Sequence, residues 1–378
     1  MPSVILYGGA FNPVHKEHVA LAKAAVKKFN PERLIVIPTG ISPHKQGGLS
    51  ASAEDRLNMC RLAFSCIPCA EVSDYEISSP VVSYSYLTCE HFRALYPSHE
   101  IYFLMGGDML ASFPSWREPE RILSCVTLAA GAREGSRSLK KSRSEVEERY
   151  CVKVERVRYT GANVSSTRVR TLACLGESTS EYVLPAVGQY IKSKGLYLNS
   201  ILASVSELEK KSRWAHSVRV AVMCAENASR AYISEEQAIT MAALHDVTKN
   251  LSADSPFLQG FVPPEDVPSP VMHQFSGAYV SQKYFGLTDE NLLNAIRYHT
   301  SGRAGMSEAE MLLYLCDMLE DGRDFDGVEQ LRKIFLTEDL PHAMLAALEH
   351  QITYLNSCGG DIYPLTQQAY LYLKEFLT

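Results

Sequence analysis

The first half of the chain alternates between short apolar runs and longer stretches with helical spacing. Val4–Tyr7 is an unbroken apolar run that meets two glycines, and an amphipathic pattern follows over Val14–Phe29. LIVIPTG (Leu34–Gly40) is a second strand-like run, ended by proline and glycine. Ala53–Cys66 has helical spacing, Ala70–Tyr75 is strand-like, Ser85–Tyr96 is helical, and Ile101–Gly106 and Val126–Gly131 are strand-like again. Short strands separated by helix-length segments predict βαβ units, and so an α/β domain whose parallel sheet carries helices on both faces. Ligands of such sheets lie beyond the C-terminal ends of the strands. After Leu198 the period changes. Trp214–Tyr232, Glu235–His245, Ser276–Phe285, Asp289–His299, Ser307–Leu319, Ala343–Leu355 and Leu365–Leu377 all read as helices, and the proline-rich stretch Asp254–Pro270 reads as a loop. This predicts two domains, an α/β domain over 1–198 and an all-α domain over 199–378, with no internal repeat.

Composition narrows the classes. The 378 residues are 46% hydrophobic and 21% charged with a formal net charge of −6, which fits a packed chain and argues against nucleic acid or an anionic membrane as partner. The most basic stretch, Arg133–Arg158, interleaves Lys and Arg with Glu and reads as a solvated helix and strand face. There is no membrane-length apolar run and no signal-peptide pattern. Ten scattered cysteines suggest buried thiols in a reducing cytoplasm, and the lone CxxC, Cys66 and Cys69, reads as structural.

Candidate chemistry begins at GGAFNPVHKEH. Gly8 and Gly9 let the backbone turn sharply after the first strand, and the helix that follows offers unpaired N–H groups and a positive dipole end. His15 and His18, one helical turn apart, can both point at an anion resting on that helix end. Two surface histidines would be the plainer reading were it not for the strand, the glycines and Pro13 before them.

Other strings follow in order: IPTGISPHK, EDRLNMCRLAF, FLMGGDMLASFPSWREPERIL, AREG, NVSSTRVR and LPAVGQYIKSKGLYL. Together they resemble the HxGH nucleotidyltransferases, specifically the nicotinate-nucleotide adenylyltransferases, over residues 1–198, and a Rossmann-like fold is implied. The resemblance implies transfer of AMP from ATP, with Mg²⁺, to nicotinate mononucleotide, giving nicotinate adenine dinucleotide and pyrophosphate. On that reading His15 and His18 stabilise the α-phosphate, and Lys45 and Arg170 hold phosphates. Ser165, Ser166 and Thr167 present hydroxyls and N–H groups at a helix start. Asp108 and Trp116 shape the dinucleotide pocket, with Gly8, Gly9, Phe11, Gly106 and Arg133 completing the nucleotide-contacting set. Asp108, Ser166 and Thr167 also fit as helix caps, Trp116 as packing, and Lys45 as a solvated lysine. The chain departs from the family at Glu17, where glycine is usual, and in SSPVVSYSYLT, which lacks the usual arginine. Nicotinamide mononucleotide is the alternative acceptor.

In the second half RWAHS (His216), LHDVTKN (His245, Asp246), MHQFSGA (His273), RYHTSG (His299) and YLCDMLEDGR (Asp317) place four histidines and two aspartates on or beside apolar helices. Imidazole and carboxylate together suit Fe, Mn, Co or Zn. The order H…HD…D is that of the HD phosphohydrolases, and the longer strings resemble their YqeK-type branch, over roughly 200–378. That branch implies a di-iron centre and symmetrical hydrolysis of diadenosine tetraphosphate. One metal would be held by His216, His245, Asp246 and Asp317. The second would be held by His273 and His299, with Asp246 bridging. Lys249 and Arg323 would bind substrate phosphates; Lys249 also fits as a helix C-terminal lysine stabilised by the dipole. Cys316 and Asp321 depart from the branch. His91, His99, His342 and His350 match no motif.

The expectation is a cytoplasmic bifunctional enzyme acting on small nucleotides. The alternative for the second half is a metal-binding nucleotide sensor without turnover. No oligomeric state follows from the sequence.

Overall fold

The computed structural model describes residues 1–41, 49–133, 138–161 and 164–377. Lys45, with its neighbour His44, lies outside the described residues; of Arg133 only the backbone is described. The chain divides into two compact units, 1–170 with 178–197, and 171–177 with 198–378.

The first unit is built on six parallel strands: β1 (Ser3–Gly9), β2 (Arg33–Pro38), β3 (Ala70–Val72), β4 (Glu100–Gly106), β5 (Thr127–Arg133) and β6 (Glu155–Tyr159), in spatial order β3-β2-β1-β4-β5-β6. Its helices are α1 (Lys16–Phe29), α2 (Ala53–Phe64), α3 (Ser85–Leu95), α4 (Gly107–Ser112), α5 (Pro119–Cys125), α6 (Ser138–Tyr150), α7 (Ser166–Cys174) and α8 (Pro185–Lys194). The central strands are continuous apolar runs because both of their faces are covered. Val4 and Leu6 of β1 join Ile101, Phe103 and Met105 of β4 in one layer, packed by Phe92 of α3, Leu110 of α4, Ile122 of α5 and Val146 of α6. Tyr7 faces the other way, against Phe64 of α2 and His18 of α1. Strand order reverses between β1 and β4. Gly8, Gly9 and Gly106 sit at the C-terminal ends of those two strands, so the glycines lie at the topological switch point.

The second unit contains only helices among its described residues: α9 (Ser200–Ala203), α10 (Lys211–Glu226), α11 (Glu235–Leu244), α12 (Ser269–Phe285), α13 (Glu290–Tyr298), α14 (Glu308–Leu319), α15 (Val328–Thr337), α16 (Leu340–Cys358) and α17 (Pro364–Phe376), with short 3₁₀ turns between some of them. Helix α11 is buried on nearly every side, against α10, α13 and α14.

Some elements depart from the apolar pattern. Strand β6 falls at the end of the solvated helix and strand face read over Arg133–Arg158 and has no apolar run, because it reads ERVRY. It is an edge strand paired only to β5, and of its residues only Val157 is buried. Helix α12 begins at Ser269, inside the expected loop, because Pro270 stands in its first turn, where a missing N–H costs nothing. Helix α15 was missed because only Val328, Leu331 and Phe335 mark its inner face. The thiol expectation is also corrected: all ten cysteines are free, but Cys66, Cys151 and Cys358 are exposed and Cys69 is half-buried. No helix among the described residues is long and apolar enough to cross a membrane.

Candidate active sites

The loop between β1 and α1 is held by buried polar side chains. Arg56 of α2 donates to the carbonyl of Ala10 at 2.8 Å and to that of Gly40 at 3.3 Å. Ser166 donates to the carbonyl of Pro13 at 3.0 Å, and Arg170 donates to the carbonyl of Asn12 and to Thr167 Oγ1. The Asn12 side chain accepts from Ala51 N at 3.0 Å and from the Tyr197 hydroxyl at 2.8 Å. This frame delivers the two histidines. His15 is the N-cap of α1, its N–H donates to His18 Nδ1 at 3.1 Å, and the two rings stack with centroids 3.7 Å apart. Burial, and then repulsion from His15, hold the His18 imidazolium well below its ordinary pKa, so the ring is neutral at pH 7.

Several of the expected residues have partners within the chain. Arg170 is 3% exposed, and its guanidinium donates to the carbonyl of Asn12 and to Thr167. Phe11 is 2% exposed, and its ring packs on Tyr7, His18 and Phe64. Glu17 is buried on α1 and accepts from the Tyr159 hydroxyl at 3.3 Å. Trp116 lies edge-on to Phe103, half-buried against the core, with its indole N–H on Ser112. Asp108 is exposed in the first turn of α4, next to Gly106. Ser165, Ser166 and Thr167 stand at the start of α7. Arg56, in a string already noted for its motif, was missed as a site residue because its partners are backbone carbonyls far away in sequence.

Gly40 is a sharp test of this frame. A Cβ there would fall 2.1 Å from the carbonyl oxygen of Glu76. Gly40→Ala is therefore expected to cost about 1–3 kcal/mol through forced backbone movement, read as a lowered midpoint of thermal unfolding. An unchanged midpoint would show the contact to be soft.

In the second unit the expected ligands converge. His216 projects from α10, His245 and Asp246 follow α11, His273 lies on α12, His299 caps α13 and Asp317 lies on α14. His216, His245 and Asp317 offer donor atoms within 4.8 Å of one another, and so do His245, Asp246 and His299. Asp246 Oδ1 is 3.2 Å from His273 Nε2 and 3.6 Å from His299 Nε2, while its Oδ2 is 3.5 Å from His245 Nε2. His245 and His299 turn their Nδ1 atoms onto the carbonyls of Ala242 and Ile296, at 2.7 and 2.8 Å, which leaves Nε2 of each ring to face the cluster. Gly277 of α12 lets the helices close: a Cβ there would sit 3.2 Å from the carbonyl of His245.

These residues fit a metal. His245 Nε2 is fully buried without a hydrogen-bond partner, which is costly unless a cation meets it. Burial would raise the carboxyls of Asp246 and Asp317, but the surrounding imidazoles outweigh it and hold both well below the usual range. Burial holds His245 down to about 4, the neutral ligand form. Lys249 and Arg323, expected on substrate phosphates, are engaged with the ligand carboxylates: Lys249 Nζ is 3.2 Å from Asp246 and Arg323 is 2.6 Å from Asp317. Arg213, 2.9 Å from Asp246 Oδ2, and Glu320, 3.0 Å from His216 Nδ1, were missed. Each lies three residues from an expected ligand in sequence, a signal that spacing alone does not separate from a solvated face.

Residues 6–172 match the family model described as Cytidylyltransferase-like. A protein of Caldicellulosiruptor bescii named "Probable nicotinate-nucleotide adenylyltransferase" is 32% identical over 195 residues, 51% of this chain and 98% of the relative. The chain belongs to the nicotinate-nucleotide adenylyltransferase family. In this adenylyltransferase relative the likeness stops at about half of the present chain. Residues 213–322 match the HD domain model, and that span holds the six expected metal ligands and Glu320. A Mycoplasma genitalium protein named "Probable nicotinate-nucleotide adenylyltransferase/Ap4A hydrolase" is 29% identical over 358 residues, 92% of this chain and 97% of the relative. A crystal structure from Clostridium acetobutylicum, described as a predicted HD superfamily hydrolase involved in NAD metabolism, shares 28% identity. It covers 47% of this chain and 96% of its own, with a TM-score of 0.41. The present chain is thus an adenylyltransferase family member that carries a metal-fitting HD domain after its α/β unit.

Proposed function

We propose that this chain is a bifunctional enzyme of nucleotide metabolism in the cytoplasm. Its first half joins ATP and nicotinate mononucleotide to give nicotinate adenine dinucleotide and pyrophosphate. Its second half cleaves diadenosine tetraphosphate with one water to two ADP. The functional division is placed at 198/199, next to the change of compact unit after Tyr197. The observation that carries the reading is the pairing of two polyanion-suited sites in one chain, stacked imidazoles at a switch-point helix start and an inward-facing His/Asp cluster.

In the first half the mononucleotide phosphate is already an anion, so positioning and charge stabilisation carry the rate. His15 and His18 would meet the α-phosphate, the α1 N-terminus would add its dipole, and Mg²⁺ would accompany the triphosphate. Arg56, Ser166 and Arg170 would keep the loop rigid. Trp116 and Asp108, beside the C-terminal end of β4, would border the pyridine ring and ribose. In the second half His216, His245, Asp246 and Asp317 would hold one metal, and His273 and His299, sharing Asp246, a second, iron being the assigned element. Bound metal supplies Lewis acidity and a hydroxide nucleophile at neutral pH. Arg213, Lys249 and Arg323 would turn from the carboxylates to the substrate's phosphates.

The experiment is a product assay on the purified full chain, with metal analysis on the same sample. ATP with nicotinate mononucleotide should release pyrophosphate, and diadenosine tetraphosphate should give ADP as sole nucleotide product. Equal amounts of AMP and ATP would overturn symmetrical cleavage. Metal without any hydrolysis would favour a sensor, and faster use of nicotinamide mononucleotide would reassign the acceptor.

A further inference from the structure

We infer that Glu320 is a positioning residue of the metal centre: acting through His216, it makes one of the two metal positions the tighter one. The inference rests on the two-metal reading above.

Glu320 follows α14 and is 1% exposed. A buried carboxylate is costly unless its lone pairs are met. Here they are. Oε1 takes His216 Nδ1 at 3.0 Å and Arg219 Nη2 at 3.1 Å. Oε2 takes Arg219 Nε and the backbone N–H of Gly322 at 2.5 Å. Gly322 belongs to the arrangement, because a Cβ there would meet the Arg219 guanidinium at 2.6 Å. Arg219 and His216 lie three residues apart on α10, so one helix face presents both groups to the same carboxylate.

The consequence falls on the other ring nitrogen. When Nδ1–H donates to Glu320, the neutral ring keeps its lone pair on Nε2. That atom lies 2.9 Å from Asp317 Oδ1, itself an acceptor. Two acceptors at that distance repel unless a cation stands with them. The Arg323 guanidinium does so here, its Nη2 2.6 Å from Asp317 Oδ1 and 3.4 Å from His216 Nε2, and a bound metal ion would take over that place. His299 of the second position differs: its Nδ1 rests on a neutral carbonyl of its own helix, as does that of His245 in the first. A carboxylate partner makes an imidazole a stronger donor than a carbonyl partner does. His216 is the one ligand histidine among the described residues with a carboxylate recorded on Nδ1. The position formed by His216, His245 and Asp317 is thus built for tighter binding than the one formed by Asp246, His273 and His299.

The test titrates metal-free full-length protein with Co²⁺, followed by calorimetry and by the visible absorption of the bound ion. Wild type should show two binding events of unequal affinity. Glu320→Gln keeps the volume and removes the charge; it should weaken the tighter event by about 10–100-fold, change its absorption band, and leave the weaker event and adenylyl transfer as they were. Arg219→Gln, altering a side chain 40% exposed, should weaken the same event less. Wild-type affinity at both events in Glu320→Gln would overturn the inference, and equal weakening of both would overturn the assignment to one position. Should Glu320→Gln not fold, Arg219→Gln decides, and an unchanged tighter event there overturns the inference. A wild-type chain that takes up no metal would instead sink the two-metal reading.

Discussion

Asp246→Ala is expected to abolish metal retention and diadenosine tetraphosphate hydrolysis together, by on the order of 10³-fold or more, while pyrophosphate release by the first half continues. Asp246 is 0% exposed, and both of its oxygens are in use. Oδ1 faces His273 and His299; Oδ2 faces His245 and Arg213; Lys249 spans the two. Without the carboxylate, three imidazoles and two cations converge on a space with no anion of its own. Alanine also leaves a cavity, so Asp246→Asn is the companion variant: the shape stays and the charge goes. Metal content per chain and ADP formation are the measurements. A variant that keeps two metals and full turnover would show that Asp246 is not the shared ligand.

His18→Ala should lower pyrophosphate release by about 10²–10⁴-fold, with hydrolysis by the second half intact. His18 stacks on His15 and packs over the buried ring of Phe11, so the substitution also removes the stacking partner of His15. pH separates a charge role from a packing role. Burial and His15 keep the His18 ring neutral in the free protein, below its ordinary pKa. A polyphosphate favours the charged ring and raises that pKa, so ATP binding should take up a proton. Affinity should therefore rise as pH falls from about 6.5 toward the depressed value, and the rise should vanish in His18→Ala. The folding contribution runs the other way. A depressed histidine pKa means that the unfolded chain binds more protons below about pH 6.5, so the unliganded protein loses stability as pH falls through that window. Isothermal titration in buffers of different ionisation heat reads the proton uptake directly. No uptake would place His18 away from the phosphates.

The strands and helices that carry the site were legible because their signal is local. Val4–Tyr7 and the His15/His18 helix start are set by a continuous apolar run, two glycines and a 3.6-residue period, and those constraints act within a few residues of one another. The clustering of the six histidines and aspartates was legible for a different reason: buried imidazole and carboxylate on apolar helices have no cheap structural use, so their presence in that order suits a cation. Strand β6 was legible only as part of a solvated helix and strand face, because an edge strand needs only one apolar side chain, and ERVRY supplies only that.

By itself, then, the sequence determined the two-part organisation, the parallel sheet, and which side chains could meet a phosphate or a metal. Tertiary structure alone decided which of them lie buried against other side chains and which hold their neighbours in place. Phe11 and Arg170 pass inward, to pack His18 and to clamp Asn12, while Arg56, Arg213 and Glu320 enter the two sites from positions that spacing did not single out. The physical reason is that a buried polar group must find its partner across the fold, on another element. Pattern and propensity register only neighbours along the chain.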